Sequence, residues 1–511
     1  MNLHRSASLN AERRTAEMAT LAAGERVDIV VIGGGITGAG VALDAASRGL
    51  RTVLVERRDL ANGTSRFSSK LAHGGLRYLR QLEVGVAWES ARERHLLMTR
   101  TAPHLVTALP FIAPLDGAMS PSYGAFAEAG IRVGDVMRVL SGTRRRTLPP
   151  PRRISRQEVM RLLPAVRVDD LRGGILFWDG QIEDDARLVI AVARTAAAHG
   201  ATVLTYCEAQ RLERGRIGVR DVITGQSFDI STTHVVNAAG VWADTLAPAV
   251  GLKPSKGSHV IVAAATLGNP RAALTVPIAG ESARWVGATP THDGTVIVGV
   301  TDDAYSGAIV DEPSVSADEE RYLLDALSVA LATPLDSEDV IGSYAGFRPL
   351  LAGREDSTAD LSRRHAIVTD PETGAVTVVG GKLTTYRRMA EETVDRVLGN
   401  SKRPSRTSSL PLVGAAPLDV LRGLRAPQRL VRRYGIEAPA VAALAAGDRS
   451  LLEPISQGVQ VLGVELVFGM RHEGAMNVDD LLDRRTRLGL IPEQRRAAEQ
   501  QAEHLAGAIA A

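Results

Sequence analysis

The apolar positions of this chain change period several times, and the first change is the sharpest. Val27, Ile29, Val30, Val31 and Ile32 form a β-branched run broken only by Asp28, the pattern of a strand buried on both faces of a parallel sheet. The run ends at Gly33-Gly34-Gly35. Apolar and small residues then recur at helical spacing over residues 36–48, Gly49 supplies a stop signal, and Thr52, Val53, Leu54 and Val55 restore a strand closed by Glu56. Strand, glycine turn, helix and strand make one βαβ unit, to which the rest of the chain is added.

Residues 84–100 predict a helix ended by Ala102-Pro103, and residues 188–199 an alanine-rich helix. Strands are predicted at 202–206, 217–222 and 227–230, followed at 233–240 by a short strand running into small residues, which suits a sheet layer close to a ligand. Over residues 256–301 short β-rich runs alternate with turns, which predicts an antiparallel substrate domain lying over the first, with a turn at Lys256-Gly257-Ser258. Residues 375–379 predict a last strand that Gly380-Gly381-Lys382 turns into a helix. Residues 398–417 read as a linker. Beyond them 430–434, 441–446, 464–470 and 478–488 read as helices of a separate module, with Asn477 as an N-cap and Asp480 three residues on. Residues 1–25 are polar and lack the apolar core of a signal peptide, so a frayed extension is expected.

Composition removes several function classes. With 511 residues, 45% hydrophobic and a net charge of +2, the chain is globular, has room for about three domains and carries no general affinity for nucleic acid. A single cysteine, Cys207, excludes internal disulfides, cysteine-ligated iron–sulfur clusters and zinc ribbons, no metal site is expected, and a reducing compartment, the cytoplasm, is the expected location. The longest apolar stretches, such as residues 260–265, are far shorter than the roughly 20 residues of a membrane-spanning helix. Residues 132–156 are the most basic stretch and read either as a solvated loop or as a patch that meets anionic lipid headgroups.

Chemistry enters with the glycine turn. Gly33, Gly35 and Gly38 fit G-x-G-x-x-G, in which one glycine makes the tight turn, one lets a pyrophosphate approach the backbone and one lets helix pack on strand. Glu56 sits where a carboxylate accepts hydrogen bonds from a ribose diol, which argues against a 2′-phosphorylated cofactor; FAD and NAD both remain open on these residues. Four glycine-flanked loops beside predicted strands carry further candidates: His73, Arg77 and Tyr78 in KLAHGGLRY, His259, Arg348, and Lys382. Arginine forks and a lysine point charge together suit a phosphorylated substrate.

The segments IGGGITGAGVALDAASRGL, TSRFSSKLAHGGLRYL, DGQIEDDARLV, VNAAGVWAD, KGSHVIV, VGVTDD, AGFRPL and GGKLTTYRRMAEETV resemble, in order and spacing, the FAD-dependent glycerol-3-phosphate dehydrogenases of the D-amino-acid-oxidase-like flavoproteins. The likeness spans about residues 26–397, and VDDLLDRRTRLGL resembles the C-terminal cap of that family. It implies an α/β protein: a Rossmann-like FAD-binding domain (26–85, 166–245, 346–397) interrupted by a β-rich α+β substrate domain (86–165, 246–345), then an all-helical cap at 418–511. It also implies oxidation of sn-glycerol 3-phosphate at C2, with electrons passing to a quinone, or to oxygen as in the related oxidases. Arg77, Tyr78, His259, Arg348, Arg363 and Lys382 would line the substrate site; among them only His259 has an unperturbed pKa near neutrality, which makes it the candidate proton acceptor, with Arg77 and Lys382 beside the developing alkoxide. The flavin would contact Gly33, Gly35, Gly38, Glu56, Ser65, Ser69, Lys70, Leu71, Gly240, Gly381, Leu383 and Thr384. A homodimer in peripheral contact with an anionic membrane is the expected assembly. An amine or amino-acid oxidase and a flavin-binding protein without turnover are the alternatives.

Overall fold

The computed structural model describes residues 5–75, 83–115, 121–278, 285–351, 365–399 and 403–510. In chain order the strands are β1 (Val27–Ile32), β2 (Thr52–Val55), β3 (Leu71–Ala72), β4 (Val106–Leu115), β5 (Arg152–Ile154), β6 (Gly173–Ile182), β7 (Thr202–Leu204), β8 (Cys207–Glu213) and β9 (Arg216–Asp221). They continue with β10 (Ser227–Asn237), β11 (Ser255–Ala263), β12 (Ala273–Pro277), β13 (Trp285–Pro290), β14 (Thr295–Gly299), β15 (Asp303–Ala304), β16 (Val340–Arg348), β17 (His365–Thr369) and β18 (Val376–Gly380).

The helices used below are α1 (Ala11–Ala22), α2 (Ile36–Ser47), α3 (Val84–Leu96), α4 (Pro121–Leu140), α5 (Asp185–Ala198), α6 (Ala317–Ser328) and α7 (Tyr386–Leu398). Two sheets organise the body. The first runs β17-β18-β10-β1-β2-β7, with β1 parallel to both β10 and β2 and the β8–β9 hairpin on the far half of β10. The second runs β15-β11-β14-β13-β12-β4-β6-β3, with β16 added on β11 and β5 on β6. The fold is the α/β architecture expected from the resemblance, followed by a helical C-terminal region.

Helix α2 is buried at all but one of its positions between α5 and α7. Its small residues allow that approach: a Cβ on Gly40 would come within 2.9 Å of the Tyr386 ring. On the second sheet, Ile112, Val260, Val262 and Val298 pack against α6, which leaves the alternate side chains of those strands facing the first sheet.

The structure corrects several expectations. Residues 227–237 form one strand, not two, because its first half pairs with β9 and its second with β1. Residues 255–258 lie inside β11, where β16 and β15 pair with them, so His259 is mid-strand rather than after a turn. β3 and β6, placed by sequence with the flavin portion, belong to the second sheet. Residues 132–140 are helix, not loop, and Arg138 is buried on Asp135 and Thr143 O.

The N-terminal segment is docked rather than frayed. Asn10 caps α1, and Arg14 is buried with Asp221 at 2.6 Å and Thr205 O at 2.7 Å. Described residues of the expected linker are docked too: Leu412 is buried, and Val413 N donates to Thr195 Oγ1 at 3.0 Å.

The cap keeps its apolar clusters largely to itself, and buried ion pairs seat it on the body. Asp59 takes Arg484 at 2.8 Å and Arg485 at 2.6 Å, Glu473 takes Arg187 at 2.5 Å, and Glu437 takes Arg194 at 2.7 Å. Asp184 caps α5 and takes Arg433 of the cap at 2.9 Å; the surrounding arginines hold its carboxyl down at about 2 against the opposing effect of burial.

Candidate active site

A cavity of about 870 Å³ lies between the two sheets, within the range of roughly 300–1,000 Å³ typical of cofactor sites. Its floor is the βαβ unit. Gly33 has φ +107°, and a Cβ there would stand 2.5 Å from Ala238 O; a Cβ on Gly38 would meet Gly33 O at 1.9 Å. Gly33 and Gly35 line the cavity while Gly38 lies behind them, where it lets α2 close on the turn. Ile36 N at the start of α2 is capped by Ser65 Oγ at 2.9 Å, and Ser65 also lines the cavity.

Glu56 lines the same end. Its carboxylate accepts Gly34 N at 2.6 Å and Arg58 N at 2.8 Å, and burial outweighs these bonds to push its pKa up. Nearby, the Arg57 guanidinium lies over the Trp242 ring at 4.6 Å. Gly240, Gly381, Leu383 and Thr384 line a second wall, where Gly381 at φ +74° turns β18 toward α7.

The roof is the face of the second sheet turned away from α6. His259 is 2% exposed, its Nε2 meets Ser69 Oγ at 2.9 Å, and its ring stacks on Tyr344 with centroids 4.6 Å apart. Nδ1 has no hydrogen-bond partner among the described residues. Burial, and after it the charges of Lys70 and Arg348, hold the imidazole pKa well below its ordinary value, so the ring is neutral at pH 7. Arg348 lies across Gly257, with Nη1 on Asp302 at 3.0 Å and on Ser255 Oγ at 3.2 Å, and Nη2 on Thr301 O at 3.2 Å. Lys382 lines the cavity from the turn after β18, its Nζ donating to Ser90 Oγ at 3.1 Å. His73, Ser69 and Leu71 also line the cavity.

Lys70 departs from its expected role at the cofactor. It is 1% exposed, its Nζ is taken by Asp185 at 2.7 Å and Arg66 O at 2.7 Å, and it is absent from the cavity wall. Arg77, Tyr78 and Arg363 lie outside the described residues.

The sequence reading missed the acids that aim these groups. Asp179 on β6 takes Gly74 N at 3.0 Å and Arg94 Nη1 at 2.6 Å, pinning the loop that carries His73. Asp302 holds Arg348, and Asp185 holds Lys70 and Ser68. Their signal was present in DGQIEDDARLV and VGVTDD, where carboxylates cluster just beyond the end of a strand.

The arrangement has known counterparts. The profile of the FAD dependent oxidoreductases matches residues 28–387, and that of the C-terminal domain of alpha-glycerophosphate oxidase matches residues 373–510. The chain is 49% identical over 508 residues, 97% of its length and 98% of the relative's, to glycerol-3-phosphate dehydrogenase 1 of Mycobacterium tuberculosis. It belongs to the FAD-dependent glycerol-3-phosphate dehydrogenase family. Another member, the glycerol-3-phosphate dehydrogenase of Synechocystis, is 33% identical over 91% of this chain and 89% of its own. The crystal structure of the family member from Bacillus halodurans complexed with FAD superposes with a TM-score of 0.76 at 26% identity, covering 98% of this chain and 94% of that one. FAD is the cofactor of this family, and the glycine cradle, which any added Cβ would fill, fits its pyrophosphate.

Proposed function

We propose that the protein oxidises sn-glycerol 3-phosphate at C2 to dihydroxyacetone phosphate. The observation that supports this reading is that His259, Arg348 and Lys382, from β11, β16 and the β18 turn, line the same cavity as the glycine cradle. FAD, when bound, would supply the two-electron oxidant that accepts the C2 hydride, with a quinone as the final acceptor.

The glycine turn and the start of α2 would hold the pyrophosphate, with Ser65, Gly240, Gly381, Leu383 and Thr384 around the remainder. Arg348, aided by Arg363, binds the substrate phosphate; its guanidinium is fixed by Asp302 and Thr301 O, so little rotamer freedom is lost on binding. His259 takes the C2 hydroxyl proton at Nε2, where the substrate hydroxyl replaces Ser69 Oγ as hydrogen-bond donor. A depressed pKa keeps that nitrogen available as an acceptor at neutral pH. Lys382 and Arg77 stabilise the charge that develops on the oxygen as the proton leaves.

Arg348→Ala should raise KM for glycerol 3-phosphate by about 10- to 150-fold, the range of a charge-assisted hydrogen bond worth roughly 1.5–3 kcal/mol, with flavin content unchanged. An unchanged KM removes Arg348 from the phosphate site. Turnover with a quinone analogue without hydrogen peroxide release supports the quinone as acceptor; stoichiometric peroxide would assign oxygen instead.

A further inference from the structure

Lys70, Asp185 and Tyr344 are buried and titratable, none of them lines the cavity, and the steps above make no use of them. Lys70 Nζ meets Asp185 Oδ1 at 2.7 Å, Asp185 Oδ2 at 2.8 Å and Arg66 O at 2.7 Å, three acceptors for the three hydrogens of an ammonium. Burying such a pair costs both groups their hydration, and an apolar pair of the same volume stabilises a fold as well or better. Stability alone therefore does not account for the pair.

Its contacts lead to His259. The ammonium lies over the Tyr344 ring, 4.9 Å from the centroid, and the imidazole stacks on that same ring at 4.6 Å with 15° between the planes. Asp185 also accepts Ser68 N at 2.9 Å and Ser68 Oγ at 2.7 Å, and Ser68 O accepts Tyr344 OH at 2.9 Å. The next residue, Ser69, places its hydroxyl 2.9 Å from His259 Nε2. Lys70 itself has φ +56°, a left-handed conformation that a residue with a Cβ keeps only where its surroundings impose it. With Ser69 turned to the imidazole and both its neighbours bonded to Asp185, the three-residue segment is fixed from two sides. The charged and titratable groups facing His259 are Lys70 from the loop before β3, Tyr344 and Arg348 from β16 and, paired with Arg348, Asp302; β14 contributes Gly299.

We infer that Lys70 and Asp185 are positioning residues for the reaction: they fix the Tyr344 ring and the Ser68–Ser69 segment against which His259 is seated, and they keep a cation beside the imidazole. The inference rests on the reading of His259 as the proton acceptor, and the two fail separately. Wild-type kcat in His259→Asn removes the base reading, whereas the seating of the imidazole is scored on the ring itself by NMR.

In the FAD-loaded protein the ring signals of carbon-13-labelled histidine report the protonation of each imidazole, and His259 is the signal lost in His259→Asn. In the wild type that signal should hold its position as pH falls from about 8 to about 6.5. Lys70→Met, and Lys70→Met/Asp185→Asn, which leaves no charge buried alone, should move its titration to higher pH, because a cation that disfavours the proton is gone. Both should lower kcat by up to about 100-fold, the cost of a misplaced catalytic group, with KM for glycerol 3-phosphate and FAD content unchanged. Lys70→Arg should restore the titration and most of kcat. Tyr344→Phe, which keeps ring and ammonium, should leave the titration where it is. An unmoved titration with wild-type kcat in Lys70→Met overturns the inference, and so does an equal shift in Tyr344→Phe, which would mean a general loosening of the site. Loss of FAD from Lys70→Met with the kcat of the loaded fraction retained also overturns it, and returns Lys70 to the flavin.

Discussion

The two parts of the cavity are built on opposite plans. The cradle uses backbone: Gly33 at φ +107°, Gly38 against Gly33 O and the start of a helix whose N-cap, Gly35, has no side chain, all within one stretch of sequence. The cationic part uses side chains from strands far apart in the chain, and the described ones are tethered by neighbours, Arg348 by Asp302 and His259 by Ser69. Backbone donors cannot be mispositioned without unfolding the turn, so the cradle needs little beyond glycine. Long charged side chains carry rotamer entropy and mutual repulsion, so the second part needs a set of acids and hydroxyls to aim it.

The largest expected effect comes from breaking the cradle. Gly38→Val places carbon atoms where Gly33 O stands 1.9 Å from a bare Cβ. The turn must open, and the purified protein should lack flavin absorbance and all activity; a yellow, active Gly38→Val protein would refute the close-packing role. Breaking the cationic part should leave flavin in place. His259→Asn should lower kcat by 10²- to 10⁴-fold, the usual contribution of a general base. The pH profile gives a second readout. Because burial depresses the imidazole pKa, kcat of the wild type at saturating substrate should stay flat as pH falls through about 6.5, the ordinary histidine value, and decline only below it. An acid limb centred at or above pH 7 would exclude His259 as the base, and the limb should vanish in the asparagine variant.

The contrast also explains what could be read from the chain alone. The βαβ unit was legible because its logic is local: period, glycine spacing and a terminal acid all fall within residues 27–57. The helix expected over 188–199 and the β-rich character of the substrate sheet were legible for the same reason, though the first residues of β11 were read as a turn. Where a strand serves two partners, as β10 does, or where two sheets share a stretch of chain, as at β3 and β6, periodicity carries no record of the pairing.

Charge was harder still. Glu183, Asp184 and Asp185 are three consecutive acids with three destinations: His292 of the substrate sheet, Arg433 of the cap and Lys70 beneath the cavity. Sequence gives their identity but not their direction. The same holds for Arg14 and Arg138, which composition counts as surface cations and the structure buries. Lys70 was expected at the flavin on resemblance, and Asp185 draws its ammonium away from the cavity.

Ser69 stands at the boundary between the two plans, and its substitution gives the smallest effect and the finest test. It lines the cavity as an expected flavin contact, yet its hydroxyl is engaged by His259 Nε2 at 2.9 Å. Since His259 Nδ1 already has no partner among the described residues, Ser69→Ala leaves the buried ring, among those residues, with stacking on Tyr344 and packing on Gly299 but no side-chain hydrogen bond. A lost hydrogen bond of about 0.5–1.5 kcal/mol predicts a twofold to tenfold fall in kcat, with flavin affinity and KM unchanged. If Ser69 instead serves the cradle, the variant should release FAD more readily on dilution or gel filtration while the kcat of the loaded fraction is retained. The ratio of the two effects therefore places the line between the backbone-built and side-chain-built halves at a single residue.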